Sequence, residues 1–244
     1  MKIMVMSCHG SSPLIRALQS AGFTPVVVRE RRTSLRHLAS FYGRRLRKAP
    51  IQVMGEVAYQ LFKLIGSSPA PAPHSAQYAH PALQVKSIND EICLRFVREV
   101  RPEIVFLDGT SIARARLIDT VRPGRFCNIH AGITPLYRGS GNPYALIRGD
   151  LAHLGVTFHE VDTGIDTGAV IGRKHVPLEA GDAGLFAYQL RCYLVGIQLI
   201  LAWLQNLPVE DDFADRSLAS AYYPQLTLRS YLLAEKAIKR CRPA

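Results

Sequence analysis

Short apolar runs alternate along the chain with longer stretches in which apolar residues recur every three or four positions. The runs Lys2–Ser7 and Thr24–Val28 are apolar and rich in β-branched residues, which predicts buried parallel strands. Between them, LIRALQSAGF predicts a helix with Ser12 as its N-cap, Pro13 at its first position and Gly22 at its end. A strand followed by a tight turn and a helix is typical of α/β proteins.

The same alternation continues through the rest of the chain. Asn89 is the predicted N-cap of a helix that extends through Val100. Helical periodicity is also present in residues 34–48, 53–65, 111–118 and 184–204, and strands are predicted at LQVKSI, at RPEIVFLD, at the start of FCNIH and near Val156–Val161 and Ala169–Val176. We therefore expect a three-layer α/β/α, Rossmann-like and mostly parallel sheet, with ligands bound at the carboxyl ends of its strands.

Two segments depart from this alternation. Residues 31–82 contain a basic helical pair followed by the proline-rich Gly66–Ser75, which predicts an exposed connector of extended chain. We interpret them as a helical insertion into a core domain of residues 1–207, because 244 residues with 48% hydrophobic content suffice for one sizeable core. Residues 208–244 predict a C-terminal tail that ends in a basic amphipathic helix.

The charge of the chain adds a preference for anions. The formal net charge is +11, and a large part of it lies between residues 29 and 48, where only Glu30 opposes Arg29, Arg31, Arg32, Arg36, Arg44, Arg45, Arg47 and Lys48. Such a cluster raises the local concentration of nucleic acid, lipid headgroups or phosphorylated substrates, although a solvated helix face explains it equally well. Backbone N–H groups of Gly10, Ser11 and Ser12 at a helix N-terminus offer a second place for a phosphate or carboxylate.

Cysteine content and hydropathy narrow the class of protein further. The five cysteines are scattered without a CxxC pair, which argues against a disulfide framework and a thiolate metal site. The first apolar run is too short for a signal peptide, and no later run approaches the length that crosses a bilayer. We expect a cytoplasmic protein that does not enter a membrane.

Candidate chemistry concentrates in Phe126–Ile171. Asn128 and His130 lie two positions apart on a predicted strand and therefore project to the same side. Asp166 lies in the turn-rich VDTGIDTG, and the glycines on either side of it allow a sharp backbone path. An amide, an imidazole and a carboxylate without a serine or cysteine nucleophile suit acid–base chemistry on a carbonyl group whose attacker is the substrate itself. Taken singly, each residue also has a structural interpretation in a turn or a core.

Two sequence motifs in this segment resemble those of a known family. NIHAGITPLYRG followed by GVTFHEVDTGIDTGAVI is similar to the 10-formyltetrahydrofolate-dependent formyltransferases, the group of glycinamide ribonucleotide, methionyl-tRNA and sugar-nucleotide N-formyltransferases. The resemblance covers roughly residues 83–171, and a weaker one is present at SCHGSSPLIRAL. It implies the formyltransferase fold, an N-formyltransferase activity, 10-formyltetrahydrofolate as formyl donor, no metal, and catalytic roles for Asn128, His130 and Asp166.

The resemblance also implies binding positions. Those for the folate are Asp108, Gly109, Thr110, Ser111, Ile112, His159, Val161, Asp162, Thr163, Gly164 and Ile165. Those for the acceptor are Gly10, Ser11, Ser12, Arg138 and Gly139. His159 and Arg138 keep structural interpretations as well, the first at a strand end and the second in an ion pair.

The sequence departs from the family in ways that bear on the acceptor. The family's Ser-Leu-Leu-Pro run after the histidine is replaced here by Ala131–Pro135, AGITP, and the basic insertion has no counterpart. The residues after position 207 are too few for the C-terminal barrel domain of methionyl-tRNA formyltransferases, so a tRNA acceptor is not expected.

We expect a nucleotide-linked or phosphorylated amino sugar as the acceptor. Glycinamide ribonucleotide and a peptide or natural-product amine stay open. Two other functions also stay open: a non-catalytic folate or nucleotide binder of the same fold, and a basic module that binds nucleic acid or membrane. A homodimer is possible as well.

Overall fold

A computed structural model of the chain describes residues 1–8, 12–31, 45, 46, 48–66, 81–214 and 217–243. The predicted helix at 34–48 lies almost wholly outside the described residues, as do most of the proline-rich connector and the predicted acceptor-binding residues Gly10 and Ser11.

Seven strands match the predicted runs to within a few residues, and two short strands, at 138–139 and 222–223, were not predicted. The strands are β1 Ile3–Ser7, β2 Val26–Glu30, β3 Leu83–Val85, β4 Ile104–Asp108, β5 Arg125–His130, β6 Arg138–Gly139, β7 Gly155–Glu160, β8 Val170–His175 and β9 Tyr222–Tyr223. Within the described residues a seven-stranded sheet has the order β3-β2-β1-β4-β5-β7-β8, and β6 pairs with β9 separately. In this order, the first five strands, β3, β2, β1, β4 and β5, are parallel to one another. β7 is antiparallel to β5, and β8 is antiparallel to β7. The predicted mostly parallel sheet is confirmed.

Helices cover both faces of this sheet. They are α1 Pro13–Ser20, α2 Pro50–Gly66, α3 Glu91–Val100, α4 Ala115–Val121, α5 Asn142–Arg148, α6 Leu185–Leu204 and α7 Leu228–Cys241, with a 3-10 turn at Leu151–His153. Alternate residues of β1 face opposite sides, because side chains alternate along a strand. Val5 belongs to the core under α1 and α6, whereas Met4 and Met6 belong to the core under α3 and α4. The three-layer prediction is therefore confirmed.

The longest helix, α6, corrects one expectation. By length and composition it could cross a membrane, so the view that no apolar run is long enough was wrong. In the fold, however, α6 packs along β5, β7 and β8. Gly196 permits this close approach, since a Cβ there would come within 2.5 Å of Ile129 Cγ2.

Two local predictions were also wrong, and the hydrogen bonds of one side chain, Asn89, explain both. The N-cap of α3 is Asp90 and not Asn89, and the helix predicted at 111–118 begins only at Ala115. The Asn89 side chain instead donates to the Ile112 carbonyl at 3.0 Å and accepts from Arg114 N–H at 2.8 Å. These hydrogen bonds hold residues 112–114 in a non-helical path.

The C-terminal residues pack on the core. α7 lies against α2, α5 and α6. β9 pairs with β6, and the buried Arg173 of β8 binds Asp211 at 2.7 and 2.8 Å. The segment that follows the predicted core domain therefore forms one wall beside the carboxyl end of β5.

Candidate active site

Strand pairing brings four polar side chains to one face of the sheet. Asn128 and His130 belong to β5, and their cross-strand partners on β7 are His159 and Thr157. Residues two apart on a strand and directly opposite on the next one share a face, so this end of the β5–β7 pair is polar on one side. Thr157 supports the loop after His130, because its hydroxyl donates to the Gly132 carbonyl at 2.7 Å.

Both ring nitrogens of His130 have a protein neighbour. Nε2 lies 2.6 Å from the Tyr137 carbonyl oxygen, and Nδ1 lies 3.3 Å from Asp166 Oδ2. A carbonyl only accepts hydrogen bonds, so Nε2 carries a proton. Burial lowers the pKa of His130 below its usual 6.5, against the opposing effect of the Asp166 carboxylate. His130 is therefore a neutral imidazole at pH 7, not the cation that pairing with Asp166 alone would favour.

Asp166 lies between two histidines. Its Oδ2 accepts from Gly139 N–H at 2.8 Å, and its Oδ1 lies 3.6 Å from His159 Nε2. Burial alone would raise the pKa of Asp166, but contacts with His159, His130 and Gly139 outweigh it and lower that pKa to about 2. The residue has a φ of 52°, a left-handed conformation that Asp adopts more readily than most residues. An ionised carboxylate is thus fixed beside the His130 ring.

The loop that carries Asp166 is ordered by its own side chains. Asp162 Oδ1 accepts from Gly164 N–H at 2.9 Å and from the Thr167 hydroxyl at 2.6 Å. A Cβ at Gly164 would overlap Thr167, and one at Gly168 would overlap the Glu160 carbonyl. Both glycines are needed because other atoms approach closely. Four predicted folate-binding residues, Asp162, Thr163, Gly164 and Ile165, form the accessible outer part of this loop, and Val161 begins it.

The second predicted folate segment, residues 108–112, lies at the carboxyl end of β4. The Asp108 carboxylate is buried and accepts from the Ser7 hydroxyl at 2.6 Å and the Tyr193 hydroxyl at 2.7 Å. Ser111 donates twice to the buried Glu30 carboxylate. These two side chains therefore hold strands together, whereas Gly109 and Ile112 are exposed and Thr110 is half-buried.

The described residues predicted to bind the acceptor differ in burial and in the groups that they contact. Ser12 is the N-cap of α1 as expected, but its hydroxyl is buried and accepts from Ile15 N–H. Arg138 donates to the Ile165 carbonyl at 3.3 Å, its buried Nε has no hydrogen-bond partner, and it forms no ion pair with a described carboxylate. Gly139 supports Asp166 through its backbone, as described above. Among the described acceptor candidates, Arg138 is thus the one with a charged side chain, and it contacts the loop that carries Asp166.

A cavity of about 250 Å³ adjoins His130. Its lining comes from the loop after β5, from α5 and α6 and from the start of α7, and comprises His130, Ala131, Gly139, Ser140, Pro143, Gln189 and Leu226. Of these, only His130 and Gly139 were predicted as site residues, and Ala131 was named only as a departure from the family motif. Ser140, Pro143, Gln189 and Leu226 were not predicted at all. Gln189 had a weak signal, because it is a polar residue within the apolar sequence LFAYQLRCYLV. The other three had none, since only the fold brings them next to His130.

The assembled groups suit transfer of an acyl-type group. The Asn128 carboxamide is half-buried and makes no hydrogen bond to a described side chain or loop, so it can donate to a ligand oxygen. His130 can accept a proton at Nδ1, and Asp166 can stabilise the resulting cation. Among the described residues, no three His, Cys, Asp or Glu side chains are grouped closely enough to hold a metal ion.

A family model matches this part of the chain. The model described as "Formyl transferase" matches residues 60–188, which is just over half of the 244 residues and includes Asn128, His130 and Asp166.

Two curated relatives are methionyl-tRNA formyltransferases. Methionyl-tRNA formyltransferase from Chlorobium luteolum is 29% identical over 168 residues, which are 66% of this chain and 52% of the relative. The enzyme of the same name from Thermus thermophilus is 30% identical over 150 residues, 59% of this chain and 48% of the relative. The chain thus spans about half the length of these relatives.

Solved structures share the fold at lower identity. A phosphoribosylglycinamide formyltransferase from Streptococcus pneumoniae TIGR4 has a TM-score of 0.53 at 19% identity, over 84% of this chain and 98% of that one. A sugar N-formyltransferase from Shewanella sp FDAARGOS_354 has a TM-score of 0.56 at 16% identity, over 97% of this chain and 87% of that one. At such identities the similarity establishes the three-layer fold.

Proposed function

This chain belongs to the formyl transferase family, and we propose that it transfers a formyl group from 10-formyltetrahydrofolate to a primary amine. One observation carries the proposal. A hydrogen-bond donor and a neutral imidazole, from Asn128 and His130, lie two residues apart on β5, the ionised carboxylate of Asp166 lies 3.3 Å from His130, and His130 lines a cavity. The folate supplies the electrophilic formyl carbon.

We propose that Asn128 polarises the formyl group. Its Nδ2–H donates to the formyl oxygen, on which negative charge develops as the amine attacks. The carboxamide makes no hydrogen bond to a described residue, so it can donate to the formyl oxygen without breaking one. Removal of one such donor in other enzymes lowers turnover by roughly 10²- to 10³-fold.

His130 and Asp166 transfer the proton that moves from the amine to the folate during the reaction. His130 Nδ1 accepts the proton that the attacking amine gives up, and the same proton later passes to the folate nitrogen that leaves. While it is protonated, the imidazolium lies 3.3 Å from the Asp166 carboxylate, and its positive charge also stabilises the formyl oxygen. His130 thus alternates between a neutral and a charged form.

The residues around His130 fit a folate of which only the reacting end enters the cavity. A cavity of about 250 Å³ accommodates the reacting groups and is smaller than the sites that enclose drug-sized ligands, commonly about 300–1,000 Å³. The rest of the folate would lie along the accessible loop 162–165 and the exposed Gly109 and Ile112, where backbone groups are available.

A nucleotide-linked or phosphorylated amino sugar is the proposed acceptor. The net charge of +11 and the positive charge of Arg138, whose guanidinium lies next to Ile165 in the loop of Asp166, favour an anionic substrate. The Shewanella sugar N-formyltransferase, which matches 97% of this chain, supports the same class.

Methionyl-tRNA is a second candidate. The curated relatives carry this substrate in their names, and the basic sequence between residues 29 and 48 is compatible with a polyanion.

The test is formyl transfer itself. The protein is incubated with 10-formyltetrahydrofolate and a panel of amines comprising amino-sugar nucleotides, amino-sugar phosphates, glycinamide ribonucleotide and methionyl-tRNA, and release of tetrahydrofolate is followed. We expect turnover with an amino-sugar derivative. If the folate does not bind and no amine reacts, the proposed function is wrong. Turnover with methionyl-tRNA alone would replace the acceptor and keep the reaction.

Two variants test the residue roles. His130→Asn and Asp166→Asn are expected to lower turnover by roughly 10²- to 10⁴-fold while folate binding persists. His175→Asn is the matched control, because His175 also contacts a backbone carbonyl, that of Leu151, but lies outside the site. Unchanged turnover in the first two variants would contradict the assignments.

A further inference from the structure

Tyr137 links the His130 ring to the protein surface through two hydrogen bonds, one at its backbone carbonyl and one at its hydroxyl. His130 Nε2 lies 2.6 Å from the backbone carbonyl of Tyr137, and the Tyr137 hydroxyl donates to Asp150 Oδ2 at 2.7 Å. Asp150 Oδ1 in turn lies 2.8 Å from Nδ1 of His153, whose side chain is about one-fifth exposed. The family resemblance assigned no role to Tyr137, Asp150 or His153.

We propose that Tyr137 and Asp150 are positioning residues that hold His130 in its Nε2–H tautomer with Nδ1 directed at Asp166. This inference rests on the function proposed above. Neither residue lines the cavity, so both act through His130 and not on the substrate.

Three contacts hold Tyr137, the residue that carries this carbonyl. The backbone N–H of Tyr137 donates to the Ile133 carbonyl at 2.8 Å, and its ring stacks on Tyr223 with centroids 5.3 Å apart. The ring is fully buried, and among the described residues its hydroxyl has one hydrogen-bond partner, Asp150. Loss of that hydroxyl would free the ring to rotate and to displace the carbonyl attached to the same residue.

Asp150 is suited to anchor this hydroxyl. Its backbone N–H donates to the Ala145 carbonyl at 2.9 Å, which places it directly after α5. Burial alone would raise the pKa of Asp150, but hydrogen bonds from His153 and Tyr137 lower it, so the acceptor is a carboxylate at neutral pH. Hydrogen bonds to a charged acceptor are shorter and stronger than those between neutral groups.

The direction of the His130 ring follows from the Tyr137 carbonyl. Because the carbonyl cannot donate, the proton of neutral His130 stays on Nε2, and Nδ1 is left to accept the proton of the attacking amine. Gly132 lies against this contact, since a Cβ there would come 2.6 Å from His130 Nε2 and 2.7 Å from the Tyr137 oxygen. A displaced carbonyl would let the proton move to Nδ1 and block that acceptor.

The experiment measures the tautomer and the turnover separately. ¹⁵N-histidine NMR spectra are recorded at pH 7.5 for the wild type, for Tyr137→Phe and for Tyr188→Phe, and the His130 signals are assigned from their absence in His130→Asn. Tyr188→Phe is the matched control, because Tyr188 is equally buried and donates its hydroxyl to the Val176 carbonyl at 2.8 Å, away from His130. Formyl transfer is measured on the same samples.

We expect Tyr137→Phe to shift the His130 ring signals toward a mixture of tautomers. Turnover should fall by roughly 10- to 100-fold with an unchanged KM for the folate, as small misplacements of catalytic groups do. Tyr188→Phe should lower thermal stability to a similar extent and change neither readout. Asp150→Ala should reproduce the Tyr137→Phe effect, and the double variant should add little to it, because both break one contact.

Wild-type His130 signals in Tyr137→Phe, or equal shifts in Tyr188→Phe, would overturn the positioning role even if formyl transfer is found. If the wild type transfers no formyl group to any amine, the proposed function fails, and the NMR comparison still decides whether Tyr137 sets the tautomer.

Discussion

The two nitrogens of the His130 ring have different surroundings, and this difference sets the chemistry of the site. Nε2 is tied to a backbone carbonyl, while Nδ1 faces a carboxylate at 3.3 Å. Burial favours the neutral ring, and the adjacent Asp166 limits the cost of its transient protonation. A residue with both properties is suited to accept a proton and return it within one turnover.

The pH dependence of formyl transfer tests this description. The pKa of His130 is lowered below 6.5 by burial, so the ring becomes protonated, and loses its acceptor, only as pH falls below that value. We expect kcat/KM to be flat above the ordinary histidine pKa and to decline on the acid side with a midpoint below it. A midpoint above 6.5, measured with a substrate amine that does not titrate in this range, would show instead that Asp166 dominates.

Gly132 provides a steric test at the same scale. Gly132→Ala would place a methyl group 2.6 Å from His130 Nε2 and 2.8 Å from Gly141 Cα, so the ring or its loop must shift. We expect turnover to fall roughly 10- to 100-fold, since the catalytic ring is displaced. The control is Gly181→Ala, where a Cβ meets nothing within 4 Å, and it should keep wild-type activity. Equal activity of the two variants would contradict the tight packing around His130.

At the scale of elements, the site depends on a change of strand direction. β5 ends a parallel set, and β7 runs antiparallel to it, so His159 lies opposite Asn128. The loop after β7 then returns over the end of β5 and delivers Asp166 to His130. α7 completes the cavity, because Leu226 lies just before its first residue.

The N-terminus of α7 is held by a capping box. Thr227 Oγ1 accepts from Ser230 N–H at 3.2 Å, and Ser230 Oγ accepts from Thr227 N–H at 2.8 Å. Thr227→Ala should lower the free energy of unfolding by about 1 kcal/mol, the usual cost of losing such a cap. Thr120→Ala serves as the control, since Thr120 is only partly buried in α4, caps no helix, and its change should stay within about 0.5 kcal/mol. Urea denaturation measures both, and equal losses would argue against the cap.

At the scale of the whole molecule, a buried arginine ties the C-terminal segment to the sheet. Arg173 of β8 binds the Asp211 carboxylate with two nitrogens and also donates to the carbonyls of Thr134 and Phe213. It therefore joins the segment that leads to α7 with the loop that follows His130. The active-site loop and the C-terminal wall of the cavity depend on the same side chain.

Arg173→Met should lower the free energy of unfolding by about 3 kcal/mol, because it leaves a partly buried Asp211 carboxylate without its partner. The double variant Arg173→Met/Asp211→Leu removes the unpaired charge as well and should recover part of that loss. Chemical denaturation of the three proteins is the measurement. If the double variant is no more stable than the single one, the cost lies in the carbonyl contacts and not in the ion pair.

Much of the fold was predictable from local pattern, and the failures share a cause. The N-cap at Ser12, the long helix α6 and the strands around Asn128 follow from periodicity and turn chemistry that neighbouring residues determine. Asn89 was misplaced because its side chain bonds to residues 23 and 25 positions away. The hydroxyl of Ser111 likewise binds a residue distant in sequence, Glu30 of β2, and the folate-binding role of Ser111 stays a prediction.

The sequence by itself determined the strands and helices of the layered α/β fold, the Asn128–His130 pair and the turn that carries Asp166. Each strand, helix and turn depends on the order of residues within one short segment. Only the tertiary structure decided the state of His130. Its tautomer depends on the Tyr137 carbonyl, its pKa on burial, and its cavity on Gln189 and Leu226. Hydrogen bonding and desolvation depend on distance in space, and for these groups that distance is set by the packing of strands and helices far apart in the chain.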